Sequence, residues 1–226
     1  MNSHFKHCER PMRRHDLIFV GPAAWRSLML TRSDVAANEL VSSWVDRGWP
    51  LIRRRAMPGE GHGVPLGLAL PYFAGKKRFS FLMQHEDILS KSPPPSLRSA
   101  GLSAPRAWRP TLAKLEDIAS RHRVEARVFG SLALAVVTGL DYLTDRSDLD
   151  LLLQVNRDTD LSRLTADLAR IEAAAPMRLD GELIRQDGAA ANWRELHAGP
   201  REVLVKTVSD VALLDARFFL SGGMPA

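Results

Sequence analysis

Three consecutive prolines, Pro93-Pro94-Pro95, sit inside SKSPPPSLRSAGLSAP, residues 90–105. Proline fixes φ, donates no backbone hydrogen bond and pushes the preceding residue toward extended backbone, so no helix or central strand crosses this run. Any fold must therefore be assembled on either side of it. The composition predicts an extended linker over 90–105 with a domain boundary inside it. That leaves a smaller N-terminal domain over 11–95, a C-terminal domain over 106–226 and a disordered extension over 1–10.

The two halves differ in charge. Residues 1–110 hold 17 Lys/Arg against 8 Asp/Glu, a net +9, and residues 111–226 hold 14 against 18, a net −4. The basic half suits phosphates or an acidic protein, the acidic half cations. A solvated surface with uneven charge explains the same numbers equally well. No run of eighteen apolar residues offers a membrane span. The N-terminal stretch MNSHFKHCERPMRRHD lacks the apolar centre of a signal peptide, which points to a cytoplasmic chain. Cys8 is the single cysteine, so no intrachain disulfide forms.

Periodicity predicts an α/β chain with a mixed sheet. In the first half, HDLIFV (15–20), LIRRRA (51–56), VPLGLALP (64–71) and KRFSFLM (77–83) read as strands. Pro22 opens a helix, and Ser33 caps a second one bearing Val35, Leu40, Val41, Trp44 and Val45. PGEGHG (58–63) reads as a loop. In the second half, 111–122 reads as a helix, 124–130 as a strand, 131–139 as a short buried helix, 148–155 as a strand and 158–175 as a helix. MRLDGELI (177–184) and REVLVKT (201–207) read as strands, and DVALLDARFFL (210–220) as a closing helix.

Asp148 and Asp150 carry the strongest chemical signal. Two residues apart on a strand, their carboxylates share a face, while Leu149 and Leu151 face the packed side. Adjacent carboxylates repel unless a cation lies between them, and oxygen donors suit Mg²⁺ or Mn²⁺. Gly130-Ser131, between a strand and a helix start, offers close backbone approach and free N–H groups to an anion. A phosphate grip beside a metal grip is what phosphoryl and nucleotidyl transfer require. A third carboxylate is expected on a neighbouring strand, with Asp180 preferred and Glu182 the alternative.

GSLALAVVTGLDYLTDRSDLDLLL resembles the DNA polymerase beta nucleotidyltransferase superfamily in its Gly-Ser followed by Asp-x-Asp, with sixteen residues between Ser131 and Asp148. The insert, TGLDYLTDRSDLDLL, is similar to the signature of a narrower group. These are the malonate decarboxylase holo-acyl-carrier-protein synthases, or phosphoribosyl-dephospho-CoA transferases. RRHDLIFV, WPLIRRR, LGLALP and KKRFSF fall in the matching order upstream, so the resemblance spans roughly residues 11–220. It implies a nucleotidyltransferase-like C-terminal domain. The donor it implies is 2′-(5″-triphosphoribosyl)-3′-dephospho-CoA, and the acceptor a serine on the apo acyl-carrier subunit of malonate decarboxylase. Asp148 and Asp150 then become the catalytic, metal-binding pair, and Gly130 and Ser131 phosphate contacts.

Lys76, Lys77 and Arg78 follow LPYFAG and read as partners either for the triphosphate or for an acidic carrier, or as a solvated turn. Gly75-Lys76-Lys77 lacks the Ser/Thr of a Walker A loop. Arg53, Arg54 and Arg55 alternate faces, so only some of them can line one site. His4, His7 and Cys8 lack a fourth ligand at metal-binding spacing. The five tryptophans read as core or interface anchors, and without aromatic and basic residues interleaved on one strand no nucleic-acid partner is expected. Two competing readings remain: an ATP-dependent adenylylating enzyme of the same superfamily, and a non-catalytic nucleotide-binding module.

Overall fold

The break between Pro94 and Pro95 separates two compact units, each with its own sheet. The computed structural model describes residues 10–207 and 210–221. The extension expected over 1–10 therefore lies, Arg10 apart, outside the described residues, as do His4, His7 and Cys8.

The N-terminal unit is built on a five-stranded antiparallel sheet. In chain order its elements are β1 (Leu17–Val20), α1 (Pro22–Thr31), α2 (Ser33–Ala36), α3 (Glu39–Ser42), β2 (Leu51–Arg53), β3 (Val64–Ala69), β4 (Arg78–Met83) and β5 (Ile88–Ser92). The strand order is β4-β3-β2-β1-β5. Pro22 occupies the first turn of α1, where its missing N–H costs nothing. One turn on, Trp25 and Met29 point into the core. The Trp25 indole donates to the carbonyls of Val41 and Ser42 at 3.2 and 3.1 Å and meets Phe81 edge-on at 4.9 Å.

The single helix expected after Ser33 is broken in two. Asn38 stops it by adopting extended backbone and accepting the N–H of Val41 at 3.2 Å, so Asn38 is the cap and Ser33 is not. Asp16, 1% exposed, binds both Nη atoms of Arg10 at 2.9 and 2.6 Å and the N–H of Arg13 at 2.7 Å. Arg10 is thus tied down rather than part of a loose extension. Arg53 and Arg54 are also absorbed locally: Arg53 donates to the Pro65 carbonyl, and Arg54 pairs with Glu60. Burial, with Arg54 alongside, lowers the pKa of Arg53.

The expected linker over 90–105 is largely structured. Its first residues end β5, which pairs with β1. After the prolines, Ser96 caps α4 (Leu97–Ala100) by accepting the N–H of Ser99 at 3.1 Å. Leu97, Ala100 and Ala104 are spaced at one helical turn and are buried in the core of the second unit. A count of prolines and serines hides that stripe.

The second unit continues with α5 (Arg109–His122), β6 (Glu125–Val128), α6 (Gly130–Thr138), β7 (Leu149–Gln154), α7 (Leu161–Glu172), β8 (Leu179–Ile184), β9 (Ala190–Asn192), α8 (Trp193–Ala198), β10 (Glu202–Lys206), β11 (Val211–Asp215) and α9 (Ala216–Ser221). Its six strands run in the order β11-β10-β9-β8-β7-β6. Only β7 and β8 are parallel, as the α7 crossover between them requires. Alternation sends Leu149, Leu151 and Leu153, with Leu179 and Leu183, into a core shared with Leu112 and Leu115 of α5 and Leu164 and Leu168 of α7. Asp150, Asp180 and Glu182 are left on the opposite face. Each buried leucine in that layer contributes about 2 kcal/mol or more.

The closing helix expected over 210–220 is a correction: 211–215 form β11, and only 216–221 are helical. Val-Ala-Leu-Leu-Asp fits either period, and five antiparallel pairs with β10 decide for strand. Among the described residues no helix is long and apolar enough to cross a membrane.

Candidate active site

The parallel register sets Asp150 of β7 directly beside Asp180 of β8. Neighbouring strands lie about 4.8 Å apart, so these two carboxylates stand abreast on the face opposite Leu149, Leu151, Leu179 and Leu183. Asp148 sits one residue before β7. Pairing begins at the next residue, Leu149, whose N–H reaches the Arg178 carbonyl at 2.9 Å. The loop that delivers Asp148 is held by its own bonds. Thr144 N–H meets Ser147 Oγ at 2.9 Å, and Ser147 N–H meets the Thr144 carbonyl at 3.0 Å. Tyr142 is buried beneath it, which pushes its phenol well above the ordinary range.

Gly130 opens α6 with φ +60°, in the left-handed region. A Cβ built there would lie 1.9 Å from Oδ2 of Asp150 and 2.6 Å from its Cγ. The Asp150 carboxylate therefore rests against the backbone at the start of α6. Sequence reasoning foresaw close approach at Gly130; the group that approaches is this carboxylate. The ladder continues just beside it, Phe129 N–H donating to the Asp150 carbonyl at 3.1 Å. Ser131 follows in the first turn of α6 and is half-buried.

The two candidates for a third carboxylate separate cleanly. Glu182 is 5% exposed and accepts from Lys206 Nζ at 2.9 Å. Asp180 is half-buried, lies level with Asp150, and accepts from Asn192 Nδ2 at 3.2 Å. Asn192 was not anticipated. Its Oδ1 accepts the Arg194 N–H at 2.9 Å and caps α8, which turns its amide nitrogen toward Asp180. The signal for it was an Asn just before Trp-Arg-Glu, a helix-start pattern. Among the described residues no group of three or more His, Cys, Asp or Glu could hold a metal ion by itself.

Lys76 and Lys77 lie exposed on the turn between β3 and β4 of the N-terminal unit, and Arg78 lies exposed at the start of β4. A cavity of about 800 Å³ opens at the other end of β7 and β8, lined by Arg157, Thr159, Ser162, Arg185, His197 and Arg217 among others. None of the predicted site residues lines it, and its arginines at 185 and 217 are already engaged by Asp187 and Asp215. Chemistry is better sought where two carboxylates meet a helix start than in that hollow.

Residues 96–217 match the family model described as the phosphoribosyl-dephospho-CoA transferase MdcG C-terminal domain, and residues 13–94 match that of its N-terminal domain. The chain belongs to the phosphoribosyl-dephospho-CoA transferase MdcG family. By that membership it is a transferase. A phosphoribosyl-dephospho-CoA transferase of Bradyrhizobium diazoefficiens is 54% identical over 222 residues, 98% of each chain. One of Xanthomonas campestris pv. campestris is 34% identical, over 85% of this chain and 94% of its own. One of Azotobacter vinelandii is 27% identical, over 88% and 91%. No solved structure gives a significant match.

Proposed function

We propose that this chain moves the phosphoribosyl-dephospho-CoA group of 2′-(5″-triphosphoribosyl)-3′-dephospho-CoA onto a serine of the apo acyl-carrier subunit of malonate decarboxylase, in the cytoplasm. The single observation that carries the reading is the Asp150–Asp180 pair, abreast in register and set against the start of α6. The family membership supplies the transferred group.

In this reading the serine oxygen attacks the α-phosphorus of the triphosphate. The bond from that phosphorus to the bridging oxygen breaks, pyrophosphate leaves, and the serine proton passes to a carboxylate or to water. Asp148 and Asp150 are the catalytic pair and Asp180 the third carboxylate. Abreast, hard oxygen donors of this kind would hold Mg²⁺ or Mn²⁺ together with the substrate phosphates. When bound, such an ion offsets charge building on the phosphates. Gly130, Ser131 and the α6 N–H groups orient the departing phosphates. Asn192 fixes the rotamer of Asp180, and Glu182 is left to a packing role with Lys206. The nucleotidyltransferase-like character of the unit rests on the same Gly-Ser and Asp-x-Asp residues.

The test is to incubate the protein with Mg²⁺, the donor and the apo carrier, and to weigh the carrier. A gain equal to phosphoribosyl-dephospho-CoA on one serine, lost when Mg²⁺ is omitted, supports the reading. An unmodified carrier with ATP consumed on another acceptor removes it.

A further inference from the structure

Between β3 and β4 the chain reverses through Pro71–Lys77. Tyr72–Ala74 form a single tight turn. Gly75 and Lys76 then both take left-handed backbone, φ +89° and +53°. Four backbone bonds close the turn: Ala74 N–H and Lys76 N–H to the Pro71 carbonyl at 3.0 and 3.1 Å, Gly75 N–H to the Tyr72 carbonyl at 3.0 Å, and Leu70 N–H to the Lys77 carbonyl at 2.8 Å. Beneath it β3 and β4 pair over six residues, and Leu70 and Pro71 are buried. These bonds fix the course of the tip, which holds a lysine in a region that non-glycine residues avoid.

What this tip presents is unlike an ordinary solvated turn. Tyr72 and Phe73 are 69% and 67% exposed, with Lys76, Lys77 and Arg78 exposed beside them. None of the three cations has an ion-pair partner among the described residues. Small-molecule sites are concave and bury most of their ligand. Here all five side chains stand outward, which suits a broad partner surface. Exposed aromatic side chains beside an arginine are enriched where proteins bind one another, and the two lysines add charge that steers an anionic partner. Residues 1–94 hold 14 Lys/Arg against 8 Asp/Glu, a net +6, so the field around the tip draws anionic surfaces.

We propose that the Tyr72–Arg78 tip docks an acidic protein surface, and, resting on the function proposed above, that this surface belongs to the acyl-carrier acceptor. Phe73 and Tyr72 cover an apolar spot on the carrier, and Lys76, Lys77 and Arg78 meet acidic side chains around it. The tip selects the acceptor and leaves the donor to the other unit.

Two variants of the full-length protein test this: Lys76→Glu with Lys77→Glu and Arg78→Glu, and Tyr72→Ser with Phe73→Ser. Every substituted side chain is exposed, and circular dichroism checks the fold. Binding of fluorescently labelled apo carrier is titrated without donor at ~50 and ~300 mM salt. Transfer kinetics are then taken in both substrates. Wild-type affinity should fall roughly 10-fold across that salt range. The charge-reversed variant should lose at least about 10-fold in carrier binding and carrier KM, and lose the salt dependence, with donor KM held within about 2-fold. The aromatic variant should lose about 10-fold without changing the salt dependence.

Carrier binding equal to wild type in both variants overturns the proposal, as does a donor KM that rises while carrier KM stands. No carrier binding by the wild type at low salt also overturns it, and so does tip-dependent binding of a single-stranded oligonucleotide in the carrier's place. A wild type that binds carrier through the tip but modifies none keeps the docking and removes the transfer reading. A wild type that modifies carrier while both variants bind and modify as well keeps the transfer and removes the docking.

Discussion

Asp16 in the first sheet and Asp150 in the second are both strand-associated aspartates in apolar surroundings, yet their neighbours differ in kind. Asp16 is closed off from solvent and gripped by the Arg10 guanidinium at two points. Asp150 stands level with another carboxylate, Asp180, and rests on the backbone at a helix start. The same contrast divides the second unit internally. Glu182 is buried against Lys206, while Asp180, two residues earlier on the same strand, takes an amide hydrogen bond from Asn192. A buried carboxylate that carries its own cation holds structure together. Carboxylates set side by side cost stability in the empty protein and are kept for what they bind.

That contrast makes opposite forecasts for one substitution. Asp150→Asn should lower transfer by about 10³-fold or more, because a neutral amide is a far poorer ligand for a divalent cation than a carboxylate. Its urea midpoint should stay level or rise as repulsion is relieved. A drop in midpoint together with near wild-type turnover breaks the comparison. Asp16→Asn should do the reverse, costing about 3 kcal/mol in urea unfolding by leaving Arg10 beside an unsuited partner.

A smaller effect comes from Asp167 on α7, 3% exposed and bonded to His122 Nε2 at 2.8 Å. The hydrogen bond to His122, then Arg170 and Arg121, holds this carboxyl below its usual value against the opposing effect of burial. With a folded pKa lower than the unfolded value of about 3.9, its stabilisation is complete above that pH and is lost as pH falls through the folded value. Asp167→Asn should thus be about 2 kcal/mol less stable than wild type near neutrality, with the gap closing below about pH 4. A gap that persists in acid shows the pairing to be incidental.

Asn192→Asp sharpens the comparison most finely. Aspartate caps a helix as well as asparagine, so α8 should survive and stability should move by under about 0.5 kcal/mol. The new charge repels Asp180 and replaces the amide that bonds it, so neutral turnover should fall by roughly 10-fold. Unchanged turnover separates Asn192 from Asp180.

The carboxylate-bearing face was legible where alternation is strict. Asp148-Leu-Asp-Leu and Leu179-Asp-Gly-Glu announce which face holds carboxylates, and the register then needed only one parallel pairing. What escaped depends on contacts remote in the chain. Asp180 and Glu182 share a face, so only the cation on β10 tells them apart. Val211–Asp215 satisfies both periods, and pairing with β10 settles it. Asn38 breaks a helix that the apolar pattern would have run straight through, because a side chain that accepts Val41 N–H competes with the helical bond. Leu97, Ala100 and Ala104 were masked by the prolines and serines around them.

The prolines that divide the chain also finish one of its sheets. The Pro95 carbonyl accepts the Val128 N–H at 2.9 Å, and Ser96 bridges Arg127, along the outer side of β6. β6 is the border strand of its sheet, and a bare border recruits other chains. A fragment begun at residue 106 would lose this guard together with Leu97, Ala100 and Ala104, and should self-associate in sedimentation. One begun at Pro95 keeps both and should stay dispersed, so the run that looks like a spacer serves as a selvedge.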